Sequence, residues 1–168
     1  MKFGGIVMPI YQGFDKDGRH IVRELFQADG VLEDGRVFEI MVAAGFIFDG
    51  ASIPRALWRL CGHPMSVPRV AAALAHDWLY SSHVCDRAVA DEIYRVLCKR
   101  VGISGFCAGT EYYTLRLFGG SAWKSHGEND EAFARARGML VLEGEIQKGS
   151  QREVKEEVKE EIKKGTQE

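Results

Sequence analysis

The sequence predicts an α+β fold: a small N-terminal antiparallel sheet, then a helical half built on an antiparallel helix pair, then a charged helical tail. Three observations carry this expectation. Residues 1 to 47 are strand-like and are punctuated by the turn signals Asp29-Gly30 and Asp34-Gly35. Residues 66 to 118 hold three helix patterns with clear starts and stops. From Glu128 the composition shifts towards Glu and Lys. The 168 residues suit one domain with an appendage, so residues 1–127 are expected as an α+β domain and 128–168 as a helical, charged extension.

In chain order, Ile21 to Gln27 alternate weakly and Arg36 to Val42 read as a second strand. Val37, Glu39 and Met41 should face one way, and Phe38, Ile40 and Val42 the other. Gly45 breaks this strand. Asp49-Gly50 then makes a tight turn, and Ser52 with Pro54 opens a short helix through Ala56, Leu57, Trp58 and Leu60 to Gly62. Asp49 is a carboxylate at a strand end beside a helix start, a place where sites are often built. Its other reading is a turn residue bonding its own backbone. Ser52 lacks the Gly-x-Ser-x-Gly context of a nucleophile.

Ser66 and Pro68 start the next helix, which runs from Arg69 to Tyr80 on Ala71, Ala72, Ala73, Leu74 and Ala75. Residues 81 to 85 form a short turn. Asp86 caps a following helix that reaches Val101 and stops at Gly102. Helices joined by so short a turn lie antiparallel. Ile103 to Phe106 read as a loop and Cys107 to Phe118 as a third helix. Either Tyr112, Leu115 and Phe118 or Tyr113 and Leu117 would pack it on the pair, with Trp123 closing the core. Glu131 to Gln147 can be helical, weakened by Gly138 and Gly144. Gln151 to Lys164 carry the narrow stripe Val154, Val158 and Ile162 amid Glu–Lys pairs, a pattern for a solvated helix or a self-association or virion contact.

The helix pair aligns candidate chemistry. His76 lies as far before the turn as Asp91 lies after it, so both sit roughly 7–8 Å from it. Tyr80, at i+4 from His76, shares its face, and Asp77 points about 100° away. A carboxylate on one imidazole nitrogen fixes the tautomer and raises basicity, freeing the other nitrogen to accept a proton from water. His76 is thus the candidate base, Asp91 and Tyr80 its orienters, and Asp77 with Asp49 the candidate metal ligands. The alternative is a buried histidine paired only to satisfy the core, with Arg87 holding Asp91 in an i−4 salt bridge.

Composition narrows the classes further. The net charge of −2, with no basic stripe, excludes nucleic acid from the expected partners. Cys61, Cys85, Cys98 and Cys107 show no Cys-x-x-Cys spacing and are expected as reduced, buried thiols. The first ten residues lack the apolar core and cleavage site of a signal peptide, and no stretch is long enough to cross a bilayer.

The ordered motifs Ala-Gly-Phe-Ile-Phe-Asp-Gly-Ala-Ser-Ile-Pro-Arg (44–55), Trp58, Ala-His-Asp-Trp-Leu-Tyr (75–80), Arg87, Ala90-Asp91, Tyr113, Arg116, Gly119 and Trp123 resemble the bacterial and bacteriophage family known as domain of unknown function 1353. The resemblance spans roughly residues 20 to 124. It implies phage or prophage origin and no established reaction. A shorter string, His76-Asp77-x-x-Tyr80 with Asp91 on the next helix, is similar to the core of secreted phospholipases of the A-two class. That similarity implies His76 activating water, Asp77 helping to bind calcium, and Tyr80 and Asp91 orienting the histidine. The Gly-rich calcium loop and the paired cysteines before the histidine are missing here. The expectation is a phage accessory protein in the host cytoplasm or virion, hydrolysing an ester of lipid or cell envelope with calcium. Its rivals are a structural or assembly protein and an inhibitor of a host protein.

Overall fold

Strict alternation makes residues 37 to 42 the clearest strand, and that strand organises the larger of two sheets. The structure, a computed structural model, describes residues 5–13, 18–50, 61–62, 66–67, 69–125 and 128–142, the last segment without the side chains of 128 and 129. The expected helix from Ser52 to Leu60 and the expected tail helix from Gln151 lie outside the described residues.

Strands β1 (Tyr11–Gly13), β2 (His20–Val22) and β5 (Ile47–Phe48) form one antiparallel sheet in the order β1-β2-β5. Strands β3 (Phe26–Val31), β4 (Val37–Val42) and β6 (Gly138–Leu142) form the other, ordered β3-β4-β6 and also antiparallel. In β4, Phe38, Ile40 and Val42 are fully buried while Val37, Glu39 and Met41 are half-buried, as the alternation requires.

Two turn signals part company here. Asp34-Gly35 is a turn, with Gly35 at φ +88° and Leu32 N–H bonded to Arg36 O at 2.9 Å. Asp29-Gly30 instead lies inside β3, where Gly30 opposes Phe38. A Cβ on Gly30 would stand 2.7 Å from the Phe38 ring, so this glycine serves close packing. The expected strand Ile21–Gln27 is also split, its two ends joining different sheets.

The helices are α1 (Val70–Ser82), α2 (Arg87–Arg100), α3 (Gly105–Phe118), α4 (Gly120–Ser125) and α5 (Glu128–Ala136). Helix α1 is buried nearly all round, from Val70 to Tyr80 except Asp77, because its alanines let neighbours approach from every side. It packs against α2, α5, β4 and β5. It ends at His83, a left-handed residue at φ 48°. Helix α2 begins after Asp86 and closes before Gly102, at φ +89°. Helix α3 starts at Gly105, two residues earlier than expected, because the Ser104 hydroxyl accepts from Cys107 N–H at 3.3 Å.

Residues 139 to 142, expected as helix, are strand. Met139 to Leu142 are apolar in succession, and such short runs do not distinguish helix from strand by period. Open hydrogen-bonding positions along β4 decide it: Leu140 opposes Ile40 and Leu142 opposes Phe38. Trp78 Nε1 donates to Ala134 O at 2.7 Å and ties α5 to the central helix. Among the described residues no helix is long and apolar enough to cross a membrane.

The thiol expectation is corrected. Cys61 and Cys107 are joined in a disulfide with Cα atoms 5.5 Å apart, and only Cys85 and Cys98 are free. The 46-residue separation has no local signature, so only the docking of α3 brings the two together. A denatured chain without reductant should titrate two thiols, and four after reduction. Reduction should also lower the unfolding free energy by about 2–4 kcal/mol in urea melts. Four thiols without reductant would refute the bond.

Candidate functional site

The turn between α1 and α2 sets two helices antiparallel, and this places His76 Nε2 3.0 Å from Asp91 Oδ1. Tyr80, one turn along α1, donates its hydroxyl to the same oxygen at 2.6 Å. The other oxygen, Oδ2, accepts from Arg116 Nη1 at 2.9 Å and faces Arg87 Nη1 at 3.6 Å. Arg87 also donates to the carbonyls of Leu115 and Arg116, at 3.0 and 3.2 Å. It thereby caps the end of α3 while helping to hold Asp91. Gly119 allows this closeness: a Cβ there would lie 2.6 Å from both the Tyr80 hydroxyl and Leu115 O.

Burial alone would raise the Asp91 carboxyl, but the bonds from His76, Tyr80 and Arg116 outweigh it and hold Asp91 below its ordinary value. His76 is pulled down, first by burial and against the pull of Asp91, so it is neutral. With Asp91 ionised, Nε2 is the protonated nitrogen and donates to it. The lone pair is then on Nδ1.

His76, Tyr80, Asp77 and Asp49 all line one cavity of about 420 Å³. Phe46, Phe48, Leu115 and Phe133 supply apolar wall, and Arg19 and Asp130 also line it. Asp77 Oδ2 accepts from Gly50 N–H at 2.7 Å, which pins the backbone after β5 to α1. Burial, and then the charge of Asp49, push the Asp77 carboxyl up to about 8.

Two carboxylates, one of them already holding a backbone N–H, fall well short of the six to eight oxygens that calcium takes. Among the described residues no group of three His, Cys, Asp or Glu side chains could hold a metal ion. Among the described residues, then, the side chains do not make up a calcium site by themselves, although Asp49 and Asp77 share the cavity.

Arg116 belongs to the motif string but not to the sequence-predicted site residues. The signal was available: it is the only basic residue in α3, on a helix otherwise poor in charge. A second buried cluster was also missed. Arg69 pairs with Glu111 at 3.1 Å, and Tyr94 donates to Glu111 at 2.8 Å. Glu111 sits one turn after Cys107, so this cluster lies beside the disulfide.

A family model described as "Protein of unknown function (DUF1353)" matches residues 25–115. That span holds Asp49, His76, Asp77, Tyr80 and Asp91 and ends one residue before Arg116. No curated protein and no solved structure matches the chain.

The raised Asp77 makes a pH prediction. A carboxyl with a higher pKa folded than unfolded binds an extra proton in the native state, so its contribution is present at low pH and is lost as pH rises from about 4 to 8. Asp77→Asn keeps an acceptor for Gly50 N–H but cannot ionise. Relative to this variant, the native chain should lose stability between pH 5 and 8.5, by at most about 1.4 kcal/mol per pH unit. Urea melts of both proteins across that range check it. A pH-independent difference would show that Asp77 is not strained by its surroundings.

Proposed function

Because the chain belongs to the DUF1353 family, whose description states no reaction, its chemistry must be read from its own side chains, and we propose that it hydrolyses an ester with His76 as general base. One observation carries this reading: His76 is clamped on Asp91 through Nε2 while it also lines a cavity. With Nε2 held by Asp91, Nδ1 is the nitrogen left to take a proton from a molecule bound in that space.

In this reaction Nδ1 takes a proton from water as the water oxygen attacks the ester carbonyl carbon. The tetrahedral intermediate collapses with cleavage of the carbon–oxygen bond to the alcohol. His76 returns its proton to the departing alkoxide, leaving acid and alcohol. Tyr80 and Arg116 keep Asp91 aimed at Nε2, and Asp91 stabilises the imidazolium that forms. Asp77, raised to about 8, is mostly protonated near neutrality and is the candidate donor to the carbonyl oxygen. No step passes through a cation; calcium enters as an arm of the assay. The apolar wall of Phe46, Phe48, Leu115 and Phe133 suits an acyl chain, in keeping with a lipid or envelope ester. A phage or prophage accessory protein, as the resemblance implies, would meet such esters at its host's surface.

A second reading has its own observation. Asp91 has donors or cations on both oxygens and His76 is only 2% exposed, as in a polar network that serves the fold alone.

His76→Ala separates the two. Asp91 keeps Tyr80, Arg116 and Arg87 in this variant, so the fold should survive. Hydrolysis of a panel of nitrophenyl acyl esters and phospholipids, with and without calcium, should fall by about 10²–10⁴-fold. Unchanged turnover in a folded variant would remove His76 as base. A native chain inactive on the whole panel, with a variant that unfolds, would favour the structural network.

A further inference from the structure

Helix α3 pairs both its charges with buried partners and presents an apolar outer face. Phe106, Tyr113 and Leu117 are 69%, 64% and 76% exposed. At 100° per residue these three point within about 40° of one another, opposite the buried Ala108, Glu111 and Leu115. Thr110 and Thr114 flank the stripe, but their hydroxyls donate to Phe106 O and Thr110 O at 2.9 and 2.8 Å, so their polarity is spent on the helix itself. Phe118, also 69% exposed, points about 100° round from Leu117 and lies outside the stripe. The two charged residues of α3 are Glu111, paired with Arg69, and Arg116, paired with Asp91. A surface helix whose two charges are both ion-paired, and which exposes several large apolar side chains, marks an interaction face.

The surroundings say what kind of partner it fits. Of the basic residues from Arg95 to Lys124, Arg95, Arg100 and Arg116 are paired with Glu33, Asp29 and Asp91, which leaves the cations of Lys99 and Lys124 to the surface. Lys99 lies in the last turn of α2, six residues before α3 begins, and Lys124 lies six residues after α3 ends; both are exposed. An apolar stripe with a cation at each end complements an anionic lipid surface. It is a poor match for a second copy, because packing two stripes in either direction brings lysine against lysine.

From this face and its charged ends we infer that α3 docks the protein on anionic phospholipid bilayers. The inference names a partner for the proposed lipid-ester site, yet binding is read without turnover. Flotation with vesicles of phosphatidylcholine, with and without phosphatidylglycerol, tests it. The native chain should bind the phosphatidylglycerol vesicles, less so as salt rises. Phe106→Ser/Leu117→Ser, which alters only exposed side chains, should bind about tenfold or more weakly with an unchanged melting temperature. Lys99→Glu/Lys124→Glu should lose the preference for phosphatidylglycerol. His76→Ala should bind as the native chain does, so failure of the hydrolysis assay leaves docking intact. Three results would each overturn the inference: a folded native chain that ignores phosphatidylglycerol vesicles, a double serine variant that binds undiminished, or a native dimer that this variant turns into monomer.

Discussion

One buried carboxylate holds the helical half together. Asp91 meets His76 and Tyr80 from α1, Arg87 from its own helix, and Arg116 from α3. A fully buried anion without such partners would be strongly destabilising, so the three helices can close only in the arrangement that supplies them. That requirement sets the height of α1 against α2 and turns the end of α3 towards both. The orientation of His76, and the cavity it faces, are consequences.

Helix α3 is shaped by two such demands. Glu111 faces Arg69 and Tyr94 near the disulfide, and Arg116 faces Asp91 at the other end. With both charges committed inward, its outer side is left with Phe106, Tyr113 and Leu117. The exposed apolar face and the polar core are therefore two sides of one assignment of residues. Of the two expected stripes, Tyr113 and Leu117 are exposed, and so is Phe118 of the other; Leu115 is buried and Tyr112 half-buried, because the ion pairs fix which way the helix turns.

Much of the site could be read from spacing. Helix starts and stops are local: a capping serine, a glycine at positive φ and a run of alanines act within a turn or two. The same locality gave the alternation of β4 and the meeting of His76 with Asp91, since a short turn and equal rise per residue determine both. Arg116 escaped because its partner is 25 residues away on another helix, and no period links them.

What the sequence by itself determined, then, is the α+β class, the antiparallel helix pair and the level at which its histidine and carboxylate face each other. These follow from periods of two and 3.6 residues and from turn chemistry, which act along the chain. Only the tertiary structure decided the Cys61–Cys107 bond, the pairing of β6 on β4, the burial of Gly30 against Phe38 and the hold of Asp77 on the Gly50 N–H. Each joins segments far apart in sequence. Each forms because an open strand edge, a close-packed ring or a buried acceptor must be satisfied by whatever the fold brings within reach.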